Sequence, residues 1–244
     1  MIEPVRSHRS KAVVEAARLH RARARRQRRL TLVEGPDLIR DVIAAGGVVT
    51  AVYGVDLPEY GGFIPVTRKA LERLAGTVSP RGPVAVVEIP DEVLDTTRDL
   101  LVSVGVSDPG NVGTMARTAA AFGWGFAHMP GSADPWSPKA VRAGAGGQFQ
   151  TTVKGIVDLD ELSDFTLVAS VSSGGGPLRR VDVSPIALLI GEEAHGLDPH
   201  IVASCDLTVT IPTPGPTESL NAAVAAAIAM YQLSKHSLEG DPPV

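Results

Sequence analysis

The chain has 244 residues, 44% of them hydrophobic and 20% charged, which excludes bulk disorder and suffices for one large domain or two small ones around a buried core. Its apolar run from Asn221 to Ser234 falls well short of the roughly 20 residues of a membrane-spanning helix, and the lone Cys205 excludes an intrachain disulfide framework and a multi-thiolate metal site. The formal charge of −4 is uneven: residues 1–29 hold ten of the 23 Lys and Arg and two of the 27 Asp and Glu, a balance of +8 against −12 for the remainder, so only that first segment suits a polyanion.

Ser7 to Arg29 reads as one helix with a short apolar stripe of Val13, Val14, Ala17 and Leu19. After the stripe come Arg21, Arg23, Arg25, Arg26, Arg28 and Arg29. A guanidinium fork can satisfy two phosphate oxygens at once, so this run is expected to contact RNA or another phosphate. A solvated, frayed helix or an Arg-rich targeting peptide is the plainer alternative. Strands follow at Leu30–Gly35, Val48–Val55, Ile64–Val66 and Val84–Ile89, with helices at Pro36–Ala45 and Thr67–Leu74. Pro36 suits the first turn of its helix, and Gly46-Gly47 ends it. These elements make a small α/β module over residues 1–90, and the polar, acidic stretch Pro90 to Arg98 reads as a linker.

From there to residue 244 the pattern is apolar strands alternating with helices. Strands are expected at Leu100–Val106, Gly125–Met129, Thr166–Val171, Ile186–Ile190 and Leu207–Ile211. Helices are expected at Asn111–Phe122 and Glu218–Lys235, with a Gly-rich segment around Lys139 to Gly147. Continuously apolar strands with helical crossovers argue for a mostly parallel sheet covered on both faces, whose ligands sit beyond the carboxyl ends of the strands.

Three segments lie just after such strands. Asp108-Pro109-Gly110-Asn111-Val112-Gly113, continuing to Arg117-Thr118-Ala119, opens a helix that Asn111 can cap. Arg117 lies six residues on, nearly across the helix axis from Asn111. Gly191-Glu192-Glu193-Ala194-His195-Gly196-Leu197 reads as a tight loop with exposed amides; His195 suits a surface role, because no ligand cluster supports a metal. Ile211-Pro212-Thr213-Pro214-Gly215-Pro216 stiffens the approach to the last helix, which Ser219 or Asn221 can cap. The small-residue face of Ala222 to Ala229 suits close packing against a helix or a sheet.

Taken alone, each segment has a structural explanation. In this order and spacing they resemble the three signature motifs of the SpoU-type (TrmH-like) RNA 2′-O-ribose methyltransferases of the SPOUT superfamily. The patterns D-P-x-N-x-G-x-x-x-R-T-A, G-x-E-x-x-G-L and I-P-x-x-G-x-x-x-S-L-N are intact over roughly Leu100 to Leu233. Upstream, Arg25 to Gly35 looks like the substrate-binding domain that often precedes this catalytic domain.

The resemblance implies an α/β catalytic domain over residues 98–244 with a deep trefoil knot, preceded by an RNA-binding domain. It implies S-adenosylmethionine as cofactor, RNA as substrate and a homodimer; the residues themselves point to no metal, and the lone cysteine and short apolar run to a cytoplasmic setting off the membrane. Ribosomal RNA, 23S in particular, is the expected substrate, because smaller transfer RNA enzymes of this type often lack the N-terminal module; transfer RNA, or a non-catalytic RNA-binding role, is the alternative. Arg117 would stand at the reacting ribose, with Asn111, Glu193, Ser219 and Asn221 around it. Gly191, Ile211, Pro212 and Leu220, with Ser170 and Ser172 of the loop Ser170 to Gly176, would hold the cofactor. Arg21, Arg25, Arg26, Arg28, Arg29 and Arg142 would contact RNA. One departure stands out: Gly144 replaces the serine of the family's K-x-x-R-x-S-x-G stretch, which puts that segment's substrate role in question. A Rossmann oxidoreductase is disfavoured, since no G-x-G-x-x-G opens a helix after an early strand.

Overall fold

In the computed structural model the described residues are 6–55, 63–80, 82–179, 185–216 and 219–234. The N-terminal part runs α1 (Lys11–Ala17), a 3₁₀ turn (Arg18–His20), α2 (Ala22–Arg28), β1 (Leu30–Glu34), α3 (Pro36–Ala44), β2 (Val49–Gly54), β3 (Phe63–Pro65), α4 (Arg68–Ala75) and β4 (Val84–Glu88). Its four strands lie in the order β1-β4-β2-β3, with β4 antiparallel to both neighbours and β2 parallel to β3. Helices α1 and α4 pack on one face through Val13, Ala16, Leu71 and Leu74. Helix α3 lies in a different apolar cluster, where Ile39 and Val42 join Leu101, Val112 and Met115 of the C-terminal part.

The single helix expected over Ser7–Arg29 is broken. Arg21 is extended, with φ −93° and ψ 127°, and starts a second helix. The break lets Leu19 end in the core beside Val13 and Ala16 and swings α2 so that Arg25 points inward.

The C-terminal part contains β5 (Leu100–Ser103), α5 (Pro109–Ala121), β6 (Gly125–His128), α6 (Pro138–Ala143), β7 (Val153–Gly155), β8 (Thr166–Ser170), β9 (Gly176–Pro177), β10 (Ile186–Ile190), α7 (Pro199–Ala203), β11 (Leu207–Thr210) and α8 (Ala222–Leu233). The seven strands form one wholly parallel sheet in the order β7-β6-β5-β10-β8-β11-β9. Every residue of the central strand β10 is buried, as a strand covered on both faces requires. Because the sheet is parallel, the loops after β5, β8, β10 and β11 all emerge along one edge, and the strand order reverses between β5 and β10. A ligand belongs at that edge. Helix α8 lies against α5 and β10 and begins at Ala222; Glu218 and Lys235, the ends expected for it, lie outside the described residues.

Candidate active site

The first motif folds as a capped helix, but the cap is Asp108. Its Oδ1 accepts from the backbone N–H of Gly110 at 2.7 Å and of Asn111 at 3.1 Å, while Oδ2 accepts from Lys139 Nζ at 2.7 Å. The lysine first, then these amides, holds the Asp108 carboxyl below the usual carboxylate range. Asn111 is thereby freed from capping, and its side chain reaches across the sheet edge.

There Asn111 ties the three motifs together. Its Oδ1 accepts from Asn221 Nδ2 at 3.0 Å, and its Nδ2 donates to Glu193 Oε1. Asn221 is the cap of α8, with Oδ1 accepting from the N–H groups of Ala223 at 3.0 Å and Val224 at 3.3 Å. The direction of the whole chain follows. Since helix amides fill the Asn221 carbonyl oxygen, its NH₂ must face Asn111; Asn111 must then present oxygen to Asn221 and NH₂ to Glu193, which has to be an acceptor. The relay ends on a carboxylate.

Glu193 stands on the wall of a cavity of about 270 Å³. Ser170, Val171 and Ser172 after β8 line it, as do Ile190 to Gly196 after β10, Ile211 and Thr213 after β11, and Ser219, Leu220, Ala222 and Ala225 at the start of α8. The loop after β10 is tight: Gly196 N–H donates to Glu192 O at 2.9 Å, Gly196 takes φ +69°, and a Cβ on Gly191 would lie 2.2 Å from the Gly196 carbonyl carbon. Only glycine fits there. His195 Nδ1 and Glu192 Oε1 pair at 2.6 Å on the same wall. The lining combines aliphatic residues with three serines and two carboxylates, which suits a ligand with an apolar ring, hydroxyls and a positive charge. Among the described residues no group of His, Cys, Asp and Glu could hold a metal ion.

Of the expected cofactor residues, Gly191, Ile211, Leu220, Ser170 and Ser172 line the cavity; Pro212 is exposed and does not. Of the expected catalytic group, Glu193 and Ser219 line it, and Asn111 and Asn221 are bonded to Glu193 directly or through one another. Arg117 is apart: it is exposed on α5, off the cavity wall, with no hydrogen bond or ion pair among the described residues. Val171 lines the cavity too, inside the loop Ser170 to Gly176 expected as a wall; the sequence reading missed Thr213, Ala222 and Ala225, for which the small residues three apart at the start of α8 were the available signal.

The arginine run needs correction. Arg25, expected to bind RNA, is 3% exposed. Its Nε and Nη2 both donate to Asp134 Oδ2, at 3.0 and 2.6 Å, and its Nη1 to Leu19 O at 2.7 Å, so no fork remains for a phosphate. Arg28 pairs with Glu15, and Arg29 bonds Asp91 and the carbonyls of Ile89 and Pro90. Arg142 pairs with Glu34 at 3.0 Å. Arg21 and Arg26 are exposed. At Gly144, a Cβ would lie 2.6 Å from Gln148 Oε1 and 2.7 Å from Gly113 O. The position is a buried contact between α5 and α6, so a hydroxyl there would meet protein rather than RNA.

The sequence matches the model of the SpoU rRNA Methylase family over residues 99–231. The chain is 29% identical over 246 residues to the Bacillus subtilis 23S rRNA (guanosine(2553)-2′-O)-methyltransferase RlmP, covering 95% of this chain and 99% of that protein. Among solved structures it resembles the SpoU methyltransferase AviRb from Streptomyces viridochromogenes in complex with AdoMet, with TM-score 0.81, 25% identity, and 92% and 97% of the two chains covered. It also resembles a structure concerned with 2′-OH methylation of C/U34 on tRNA, with TM-score 0.50 and 32% identity over 56% of this chain and 94% of that one.

Proposed function

The chain belongs to the SpoU rRNA methylase family, and on that premise we propose that it transfers a methyl group from S-adenosylmethionine to a ribose 2′-hydroxyl of 23S ribosomal RNA. One observation carries the reading: the relay Asn221–Asn111–Glu193 joins all three motifs and delivers a carboxylate to the wall of the cavity lined by their loops.

The residues present fit S-adenosylmethionine. Ile190, Ile211, Leu220, Ala222 and Ala225 offer apolar surface for its adenine, Ser170 and Ser172 offer hydroxyls for its ribose, and Glu192 and Glu193 offer charge to its cationic end. When bound, it supplies an electrophilic methyl on a positively charged sulfur. The receiving ribose hydroxyl would give up its proton to Glu193 or to water. Glu193, fixed as an acceptor, can orient that hydroxyl through its second carboxylate oxygen. Arg117 stabilises charge developing on the oxygen or grips the adjacent phosphate. A guanidinium, which holds its proton firmly, is poorly suited to act as the base. Most of the acceleration then comes from positioning and preorganised charge.

Ribosomal rather than transfer RNA is favoured by coverage. The relative named for 23S rRNA spans 95% of this chain, N-terminal part included, whereas the tRNA-related structure is matched almost whole by 56% of it. We read residues 1–90 as the RNA-holding part, with Arg21 and Arg26 among its contacts, and residues 98–244 as catalytic and knotted. A homodimer is supported by the exposed stripe Val224, Ile228 and Tyr231 on α8, one face at spacings of four and three. Dimerisation there would let an Arg117 unengaged in its own chain serve a partner's cavity. Among the described residues no helix is long and apolar enough to cross a membrane, and we read the protein as cytoplasmic in keeping with a ribosomal RNA substrate. Incubating the purified chain with a 23S rRNA transcript and methyl-labelled S-adenosylmethionine should put label into RNA at a bond that resists alkaline cleavage. Label at an alkali-labile bond, or none, overturns the reading.

A further inference from the structure

The fold redistributes the positive charge that the sequence concentrates in residues 1–29. Arg25, Arg28 and Arg29 are engaged within the protein. Meanwhile α4 carries Lys69 and Arg73 to the start of α1, where Arg73 Nη1 donates to His8 O at 2.8 Å and pins two segments 65 residues apart. Arg9, Lys69 and Arg73 are exposed, and none pairs with an acid among the described residues. Arg68, their neighbour on α4, is paired with Glu72 at 3.7 Å. His8 is held below the ordinary histidine range by desolvation and then by Lys69, Arg9 and Arg73; among the described residues every charge acting on it is a cation.

From this juxtaposition we propose that His8, Arg9, Lys69 and Arg73 form a phosphate-binding surface that grips the substrate RNA. The inference rests on the reading of the protein as an RNA methyltransferase. The one carboxylate among them on α4, Glu72, is paired with Arg68, so the remaining cations repel one another, and an RNA backbone relieves that repulsion while releasing its own counterions. Helices α1 and α4 belong to the apolar cluster on the face opposite α3, and α3 is the helix that packs toward the catalytic part. The surface is thus remote from the cavity, and its contacts act on RNA affinity rather than on the methyl transfer step. With ten aromatic residues in the chain, the grip is one of charge and shape rather than base stacking.

The test is binding of the full chain to a 23S rRNA transcript, followed by anisotropy between 50 and 200 mM KCl. In the triple variant Arg9→Gln, Lys69→Gln, Arg73→Gln the slope of log affinity against log salt should shrink by about 2 to 3, at roughly 0.7–0.9 for each phosphate that is no longer neutralised. The KM for RNA should rise about tenfold or more, with kcat and S-adenosylmethionine affinity unchanged. The His8 ring should titrate at higher pH in wild-type protein once RNA is bound. Lys69→Glu, which removes no hydrogen bond, serves if the triple variant loses S-adenosylmethionine binding, and should also flatten the slope. A slope equal to wild type in the variant that retains cofactor binding overturns the surface. If the wild-type chain methylates rRNA and the slope ignores these cations, only this surface falls; if it methylates no rRNA, the functional reading falls first.

Discussion

Asn111 decides the polarity of the site, because it can serve both neighbours only in one orientation. Replacing it with Asp keeps the acceptor for Asn221 but sets a second carboxylate against Glu193. Two facing carboxylates raise the pKa of one of them, and the hydrogen bond returns only when that one is protonated. Asn111→Asp should therefore lose about 10- to 100-fold in kcat at pH 8, the worth of one hydrogen bond to a charged group, and lose less at pH 6. A pH–rate profile parallel to wild type would refute the relay. Arg117 calls for the opposite signature. Standing off the cavity wall, it should on truncation to Ala reduce methyl transfer to background while S-adenosylmethionine still titrates normally by calorimetry; equal losses would place it in the cofactor site. Asp108 offers a test in stability. Its carboxyl is depressed in the folded chain by Lys139 and by the Asn111 and Gly110 amides, so the stabilisation is complete above the unfolded pKa near 3.8 and is lost as pH falls through the lower folded value. Asp108→Ala should cost about 1 kcal/mol in urea unfolding at pH 7, as for other helix caps, with the gap to wild type narrowing below pH 4.

Helices α5 and α6 cross as closely as backbone permits, and glycine makes the crossing possible. A Cβ on Gly113 would lie 2.2 Å from Ala140 O, and one on Gly144 2.7 Å from Gly113 O. Restoring the family serine at position 144 should thus destabilise this protein by about 1 to 3 kcal/mol, the usual cost of overpacking, read as a drop in Tm. Adding Gln148→Ala removes the side-chain part of the clash and should recover some of the loss. Nothing in the sequence announces this crossing, because the Gly-rich stretch around Lys139 to Gly147 hides α6 behind its loop-like composition; only Ser137-Pro138, a cap followed by a first-turn proline, betrays it. The central strands were legible for the contrary reason: β5, β8 and β10 are continuous apolar runs, and burial on both faces leaves little alternative. Strands β7 and β9, three and two residues long, carry no period to read. At the site, the family resemblance marked Gly191, Ser170 and Ile211, but the cap was assigned to Asn111 when Asp108 three residues earlier takes it. The break at Arg21 has no proline or glycine to signal it and follows from the burial of Leu19 and Arg25.

Across the whole molecule, the N-terminal part is fastened to the segment that packs against α5. Arg25 binds Asp134, Thr31 Oγ1 donates to Trp136 O at 2.6 Å, and Glu34 binds Arg142. All three ties land between residues 134 and 142, and that segment runs through α6 to Gly147, which packs so closely on α5 that an added Cβ would lie 2.6 Å from the Arg117 Cα. An apolar cluster runs without a break from Ile39 and Val42 to Met115 and Phe149. Such an arrangement fixes the angle between whatever the first part holds and the cavity of the second. Arg25–Asp134 is the tie to cut, since the guanidinium side chain is 4% exposed and the carboxylate 27%. Arg25→Met should cost up to about 3 kcal/mol, because breaking a buried pair strands its partner, and partial access of water to Asp134 keeps the loss at the lower end. Asp134→Asn should cost less, and the double variant should fall short of the sum by about 1 to 3 kcal/mol, as residues in one network do. Stability alone would make the tie ordinary scaffolding. If it aligns the two parts, Arg25→Met at a temperature where the protein remains folded should also raise the KM for rRNA severalfold while leaving S-adenosylmethionine affinity untouched, and a KM equal to wild type would reduce the tie to its stabilising role.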